Sequence, residues 1–377
     1  MQADTVSALR ETFLDFFSTI DDPRIERCKL HPISEILLLT LAAVISGAEG
    51  WIDIERYGHL KLDFLRRFFP YENGIPSDDT LRRFFRRVDP KTFQKRFVEW
   101  VQCLSSKEEE TLISIDGKVS RRSFDTNQKA LHMVSAFASE CGLVLAQTKV
   151  SGKSNEITAI PELLELLDLQ GSIVTIDAMG CQKEIAKQIV EKEGDYVFSL
   201  KGNQGTLHDD VRALFRSFPD LRNLGVEEYK TVDGDHGRIE ERTYRVINTP
   251  RLFTKKHDWV GLSTLVEVSS KREIKGDIQT EKRYYISSLP KDAKKLGKVI
   301  RSHWAVENTL HWVMDLSFHD DESRIRKGFA PENMAVIKHA ALNLLQKNKG
   351  KRDSIKQLRK IAGWDNERLY QILQQKF

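Results

Sequence analysis

The chain has 377 residues, 40% hydrophobic and 30% charged, with 59 Lys+Arg against 55 Asp+Glu and a formal net charge of only +4. At about 100–200 residues per domain this length holds two or three units with a sizeable core, and the composition excludes a disordered tail. Four scattered cysteines, Cys28, Cys103, Cys141 and Cys181, form no CxxC pair, which argues against a disulfide scaffold or zinc ribbon and fits a reducing compartment. The most nearly apolar stretch, Ile36 to Ile45, is broken by Thr40 and falls well short of the roughly 18 residues of a membrane span. The opening residues lack the basic start and small-residue cleavage site of a signal peptide, so a soluble, cytoplasmic chain with no membrane partner is expected.

From Leu9 to about Ser106 apolar residues recur at three- and four-residue spacing, as in Phe13, Phe16, Phe17 and then Ile33, Ile36, Leu37, Leu41, Val44, which predicts helices throughout. Pro76-Ser77-Asp78-Asp79 is a helix start, with Ser77 able to cap free amides and two aspartates at the positive end of the dipole. The helix it opens, Thr80 to Val88, sets Arg82, Arg83, Arg86 and Arg87 on one side and Leu81, Phe84 and Phe85 on the other. That basic side is either a solvated face or a phosphate-contacting one.

At Thr111 the texture changes. Leu112 to Val119 alternates like a strand, and Leu131 to Ala138 and Leu143 to Val150 read as two more, joined by a tight turn at Glu140-Cys141-Gly142. A helix (Ile157 to Leu167), a strand (Ser172 to Asp177), a helix (Gln182 to Lys192) and a strand (Tyr196 to Leu200) follow. The order β-β-β-α-β-α-β requires a mixed sheet with helices on its faces. Lys201 to about Lys282 is polar and glycine-punctuated, with strand candidates at Glu240 to Val246 and Trp259 to Val268, and reads as a mostly β insertion; another strand candidate follows at Arg283 to Ser288. Helical texture returns after Pro290, strongest over Lys298 to Met314, with two basic helices near Pro331 to Lys347 and Ser354 to Phe377.

Two aspartates close otherwise apolar strands: Asp116 after Ile113-Ser114-Ile115, and Asp177 after Val174-Thr175-Ile176. A carboxylate buried at a strand end costs several kcal/mol unless a cation or hydrogen bonds compensate. If the first and fourth strands are neighbours, both carboxylates converge beyond the sheet edge where ligands bind in open α/β sheets. Each aspartate alone reads equally as a cap or turn former. Farther on, His303, Glu307 and His311 are spaced four apart on a predicted helix with Trp304, Leu310 and Trp312. The two histidines are about 12 Å apart along a straight helix, so one zinc ion cannot join both, and no HExxH is present; a packed helix with local hydrogen bonds is the plain alternative.

Taken together, Ile115-Asp116-Gly117-Lys118, Thr175-Ile176-Asp177-Ala178-Met179-Gly180, Tyr196 to Gln204, His236-Gly237-Arg238-Ile239-Glu240 and His303-Trp304-x-x-Glu307-Asn308-x-Leu310-His311-Trp312 resemble the insertion-sequence transposases of the DDE class, and more closely their H-repeat-associated branch. Asp22-Pro23-Arg24, His31-Pro32-Ile33 and Ala43 to Trp51 resemble that branch's N-terminal region, so the likeness spans nearly the whole chain.

The resemblance implies an α/β fold: a ribonuclease H-like mixed sheet core with a β-rich insertion, a helical N-terminal domain and C-terminal helices. It divides the chain into a helical domain at 1–110, a catalytic core at 111–201 and 283–325, the insertion at 202–282 and basic helices at 326–377. It implies that Asp116, Asp177 and Glu307 hold two Mg²⁺ or Mn²⁺ ions for DNA strand cleavage and 3′-hydroxyl strand transfer, hard oxygen ligands suiting those ions. The partners implied are double-stranded DNA, at element ends and target, and further copies of the chain in a synaptic complex; on DNA the protein would be nucleoid-associated. A nuclease without strand transfer and a catalytically inactive DNA-binding descendant are the alternatives.

Candidate DNA contacts are Arg82, Arg83, Arg86, Arg87, Arg301 and His303, together with Lys201, Asn203 and Gln204, which follow the strand after Asp177 and otherwise form a plain turn. Relatives often carry Tyr, Arg and Lys at seven before, four before and seven after the glutamate, where this chain has Ile300, His303 and Met314. Arg301 or Lys298 could replace the missing charge, or His303 could donate a hydrogen bond. His319-Asp320-Asp321-Glu322 either feeds the metal site or is a solvated helix terminus.

Overall fold

The computed structural model describes residues 15–104, 110–124, 129–150, 155–217, 225–235, 238–274 and 277–374. Its N-terminal part is helical, as the spacing predicts. Helix α1 (Ile33–Ile45) is apolar almost all round and correspondingly buried on nearly every side. Helices α2 (Trp51–Leu60), α3 (Asp78–Phe85) and α4 (Pro90–Leu104) surround it. Ser77 caps α3 by accepting from Thr80 N at 3.3 Å, and the helix buries Leu81, Phe84 and Phe85 while its arginines face out. The Asp22-Pro23-Arg24 motif is a structural lock: Arg24 is buried, clasps Asp22, donates to the His31 carbonyl at 2.7 Å and lies over Phe84.

Strands β1 (Leu112–Ser120), β2 (Leu131–Ala138) and β3 (Leu143–Lys149) form an antiparallel meander. Helix α5 (Glu156–Glu165), β4 (Ile173–Ile176), α6 (Lys183–Glu191) and β5 (Asp195–Leu200) then add two parallel strands beside β1. The order β3-β2-β1-β4-β5 is the ribonuclease H-like mixed sheet that the resemblance implies.

The polar stretch after β5 does more than the sequence suggests. It opens with α7 (Gly205–Ser217), an unexpected helix burying Leu207, Val211 and Phe215. Strands β6 (Glu227–Asp235) and β7 (Arg238–Asn248), helix α8 (Arg251–His257), and strands β8 (Thr264–Ile274) and β9 (Asp277–Ser287) follow. β9 pairs antiparallel with β5, so β9-β8-β7-β6 prolong the core sheet to nine strands.

Helix α9 (Ala293–His303) lies across one face of this sheet, touching β1, β4, β5, β6 and β7, over a small core that includes Leu112, Ile173, Tyr244 and Val268. The larger core fills the other face, where Ile113 and Ile115 of β1 meet α5, α6 and the N-terminal helices. The chain ends in α10 (Trp312–Phe318), α11 (Ala330–Lys347), α12 (Ile355–Trp364) and α13 (Asn366–Leu373). Read from sequence as basic, α11 is instead the hub of the molecule, buried over most of its length between α1, α4 and β3. Its Asn343 acts like a strand residue, Oδ1 accepting from Val144 N and Nδ2 donating to Val144 O, each at 2.9 Å. Asn343→Leu strands both backbone groups and should cost about 2–4 kcal/mol in urea unfolding; a loss under about 0.5 kcal/mol would show that water replaces the amide.

Candidate active site

β1 and β4 run parallel with Ile115 opposite Ile176, so the next residues, Asp116 and Asp177, lie side by side; Asp177 follows the end of β4, but Asp116 does not close its strand as the sequence suggests, since β1 continues to Ser120 paired with β2. Asp177 Oδ1 accepts from Met179 N at 2.9 Å and Gly180 N at 3.3 Å, while Oδ2 has no hydrogen bond among the described residues. Asn203 and Gln204 brace the loop after Asp177: their amides donate to Ala178 O at 2.6 Å and Cys181 O at 2.8 Å. Lys201, before them, is exposed and lines the same cavity as the aspartates.

Glu307 comes from across the sheet face on the segment after α9. That segment is not the regular helix the sequence predicts, because Val306–His311 forms a π-helical turn before α10 begins. Such turns concentrate at functional sites, and the physical reason is visible here. Asp116 and Lys118 point to the same side of β1. The helical segment must therefore present Glu307 and His311 to the first and Asp315 to the second. Over eight residues an α-helix turns Asp315 about 80° away from Glu307, whereas a π turn of about 4.4 residues cuts this to about 10°. Both contacts form: Lys118 Nζ donates to Asp315 at 2.7 Å, and His311 Nδ1 lies 3.6 Å from Asp116 Oδ2 and 3.3 Å from Glu307 Oε2.

The resulting cavity, about 250 Å³, is lined by Asp116, Asp177 and Glu307 with Lys201, Arg283 and Trp304. One potential ligand atom each from Asp116, Glu307 and His311 lies within 4.8 Å of the others; Asp177 faces the same cavity outside that tight group. Burial, reinforced by the charges of Glu156, Asp177 and Glu307 against a single Gly117 N–H, pushes the Asp116 carboxyl up to about 7. Burial lowers His311 and His303. Crowded carboxylates with no Lys or Arg ion pair among the described residues fit a hard divalent metal, with His311 beside them as a nitrogen donor.

His311 and Glu156 are absent from the sequence-based set. The four-residue spacing from Glu307 marks His311, but nothing in the sequence brings Glu156 to Asp116. Gly117 explains that approach: a Cβ there would stand 2.1 Å from Glu156 Oε1 and 2.7 Å from His132 Nε2, which hydrogen-bond each other at 2.9 Å.

The positions that depart from the relatives' pattern are filled otherwise. Ile300 and Met314 are buried apolar residues, and His303 Nδ1 binds Thr175 Oγ1 at 2.9 Å, tying α9 to β4. Arg301 is exposed beside Arg283, which pairs with Glu281 at 2.8 Å and lies 5.1 Å over the Trp304 ring. Of the acidic run, Asp320 is neither solvated nor at the cavity: it binds Lys338 at 2.7 Å and accepts from Ser120 Oγ at 2.6 Å. Arg82, Arg83, Arg86 and Arg87 lie on the exposed side of α3, away from the cavity lining. Among the described residues no helix is long and apolar enough to cross a membrane.

Residues 107–344 match the family described as "Transposase DDE domain", and residues 14–101 match "DDE_Tnp_1-associated". The chain is 45% identical to "Putative transposase YncI" of Escherichia coli O157:H7, over 93% of this chain and 91% of that one. It is 41% identical to "H repeat-associated putative transposase YhhI" of Escherichia coli (strain K12), over 96% and 97%. A 54-residue stretch is 59% identical to "Inactive transposase YbfQ" of the same strain, 14% of this chain and 64% of that one. The cryo-EM structure of the piggyBac transposase synaptic complex with hairpin DNA aligns at 13% identity over 98% of this chain and 77% of that one; its TM-score of 0.41 is too low to support any inference. Family match and full-length relatives together place the chain in the DDE transposase family.

Proposed function

We propose that the protein cleaves DNA at insertion-element ends and joins the freed 3′-hydroxyl to a target, with Asp116, Asp177 and Glu307 as the metal-holding residues. The observation that carries this reading is the pairing of Ile115 with Ile176, which sets Asp116 and Asp177 side by side facing Glu307 in one cavity. Bound Mg²⁺ or Mn²⁺, two ions in this reading, would activate the attacking oxygen and neutralise the leaving one. The chain's own part is positioning. The loop held by Asn203 and Gln204 fixes Asp177, His311 holds Glu307 against Asp116, and the Lys201 and Arg283 side chains offer positive charge to the phosphate being cut. Trp304 walls one side with a flat apolar face. In this reading 111–201 and 283–325 form the catalytic core, flanked by 1–110 and 326–377 and split by 202–282, and several copies act together in a synaptic complex.

A labelled donor carrying element ends, incubated with a target plasmid and Mg²⁺ or Mn²⁺, tests it. Joined donor–target products are expected. Cleaved donor with none joined would reduce the reading to a nuclease, and DNA binding without cleavage to a catalytically inactive DNA-binding protein.

A further inference from the structure

We propose that the arginine-rich end of α3 and two loops of the core, residues 121–124 and 323–329, form one docking surface for the phosphate backbone of double-stranded DNA. The proposal rests on the DNA reading above and adds where the duplex lies.

These three segments are distant in sequence but joined in space. Gly328 sits at φ +61° directly against α3, where a Cβ would stand 2.5 Å from Arg86 Cγ and 2.7 Å from Arg86 O, and Phe329 N donates to that same carbonyl at 3.2 Å. Arg326 Nε donates to Arg122 O at 3.0 Å, and Arg122 N to Asp321 O at 3.2 Å. Beside them lies a groove of about 690 Å³, walled on the other side by residues 49–53, to which Arg82, Arg324, Arg326 and Lys327 all contribute.

The charge pattern distinguishes this surface from an ordinary solvated one. Arg82 and Arg83 pair with Asp78 and Asp79, and Arg121 with Asp321. Arg86, Arg87, Arg122, Arg324 and Lys327 are exposed and have no ion pair among the described residues. Glu49, Asp53 and Glu322 also line the groove, so it is not uniformly positive; of the five unpaired cations Arg324 and Lys327 line it and Arg86, Arg87 and Arg122 lie on the adjoining surface, and these five are the proposed phosphate contacts. Like charges held together by backbone contacts repel, and a duplex, with a charge about every 1.7 Å of axis, relieves this by shedding counterions. Arg121 follows Asp116 by five residues along β1, about 17 Å, so a duplex on this surface reaches the carboxylate cavity within roughly five base pairs.

The test measures binding of the full chain to a fluorescent duplex across a range of salt concentrations. Two variants, R86A/R87A and R122A/R324A/K327A, are compared with R352A/K351A, which removes exposed cations after α11. The first two should flatten the slope of log K against log salt by about 2 and about 3 and weaken binding at least tenfold at physiological salt. An unchanged slope in either, an equal loss in R352A/K351A, or a loss confined to duplex RNA would overturn the proposal. Cleavage is read separately: wild-type protein that binds but does not cut removes the catalytic reading and leaves this surface standing, whereas cutting with unchanged slopes does the reverse.

Discussion

Replacing Asp116 with asparagine is expected to stabilise the metal-free protein at neutral pH while abolishing strand cleavage. The folded state holds this carboxyl at about 7 against an ordinary value of 3.8, because burial and then the neighbouring carboxylates disfavour its charge. Folded protein therefore keeps a proton that the unfolded chain has released, and stability from this group is full below about pH 4 and is lost as pH rises through 7. At about 1.4 kcal/mol per pH unit the loss amounts to a few kcal/mol. His339 contributes with the opposite sign. Burial lowers it to about 4 from 6.5, so its stability is present above about pH 6.5 and lost as pH falls toward 4. The difference between the wild-type and D116N melting curves isolates Asp116. Mg²⁺ or Mn²⁺ should raise the wild-type melting temperature and leave that of D116N nearly unmoved. D116N, Asp177→Ala and Glu307→Ala should each lose at least 10²–10³-fold in cleavage, roughly the cost of removing one preorganised electrostatic group, with DNA binding little changed. Cleavage retained by any of the three, or a wild-type melting temperature indifferent to divalent ions, would remove these carboxylates from the role assigned to them.

Asp320→Ala should be the most destabilising of the substitutions considered. Lys338 is only 3% exposed, and Asp320 is its sole ion-pair partner among the described residues. Burial alone would raise Asp320, yet Lys338 and the Ser120 hydroxyl hold it at about 2, so this carboxyl stays charged down to strongly acidic pH. Removing the aspartate strands a buried ammonium, for an expected loss of about 3–5 kcal/mol in urea unfolding. The double variant D320L/K338M, which removes both charges, should recover most of it. Divalent-ion binding by any folded Asp320 variant should match wild type, since this carboxylate faces α11 and the end of β1. Altered ion binding would return Asp320 to the metal site.

Much of this architecture was legible because its periodicities are strong. The alternation in β1, the continuous apolar run of β4 and the hairpin glycine gave the meander and the parallel pair, and the aspartates that follow apolar runs flagged the site, although β1 continues past Asp116. What escaped depends on packing. Helix α7 carries its signal at Leu207, Val211 and Phe215, but polar residues dilute it. Strand β6 has little to bury, so its hydropathy is flat. The acidic run at 319–322 and the basic look of α11 misled in the same way: Asp320 and Lys338, read separately as solvent-facing charges, neutralise each other inside. Asn203 and Gln204 read as DNA contacts, or else a plain turn, from their place after β5, and in the fold their amides are spent on the backbone beside Asp177.

The wide turn at Val306–His311 has one further consequence. It accommodates one residue more than a regular helix would need to keep Glu307 and Asp315 on one side. Deleting one residue between Asn308 and Asp315 and closing the helix to regular pitch would leave Glu307 and Asp315 seven apart and only about 20° out of line, whereas adding one with the wide turn kept would swing Glu307 by about 100°. Two chains could then read alike through His-Trp-x-x-Glu-Asn and differ in competence through length alone, with a one-residue insertion after Asn308 less well tolerated than a one-residue deletion there.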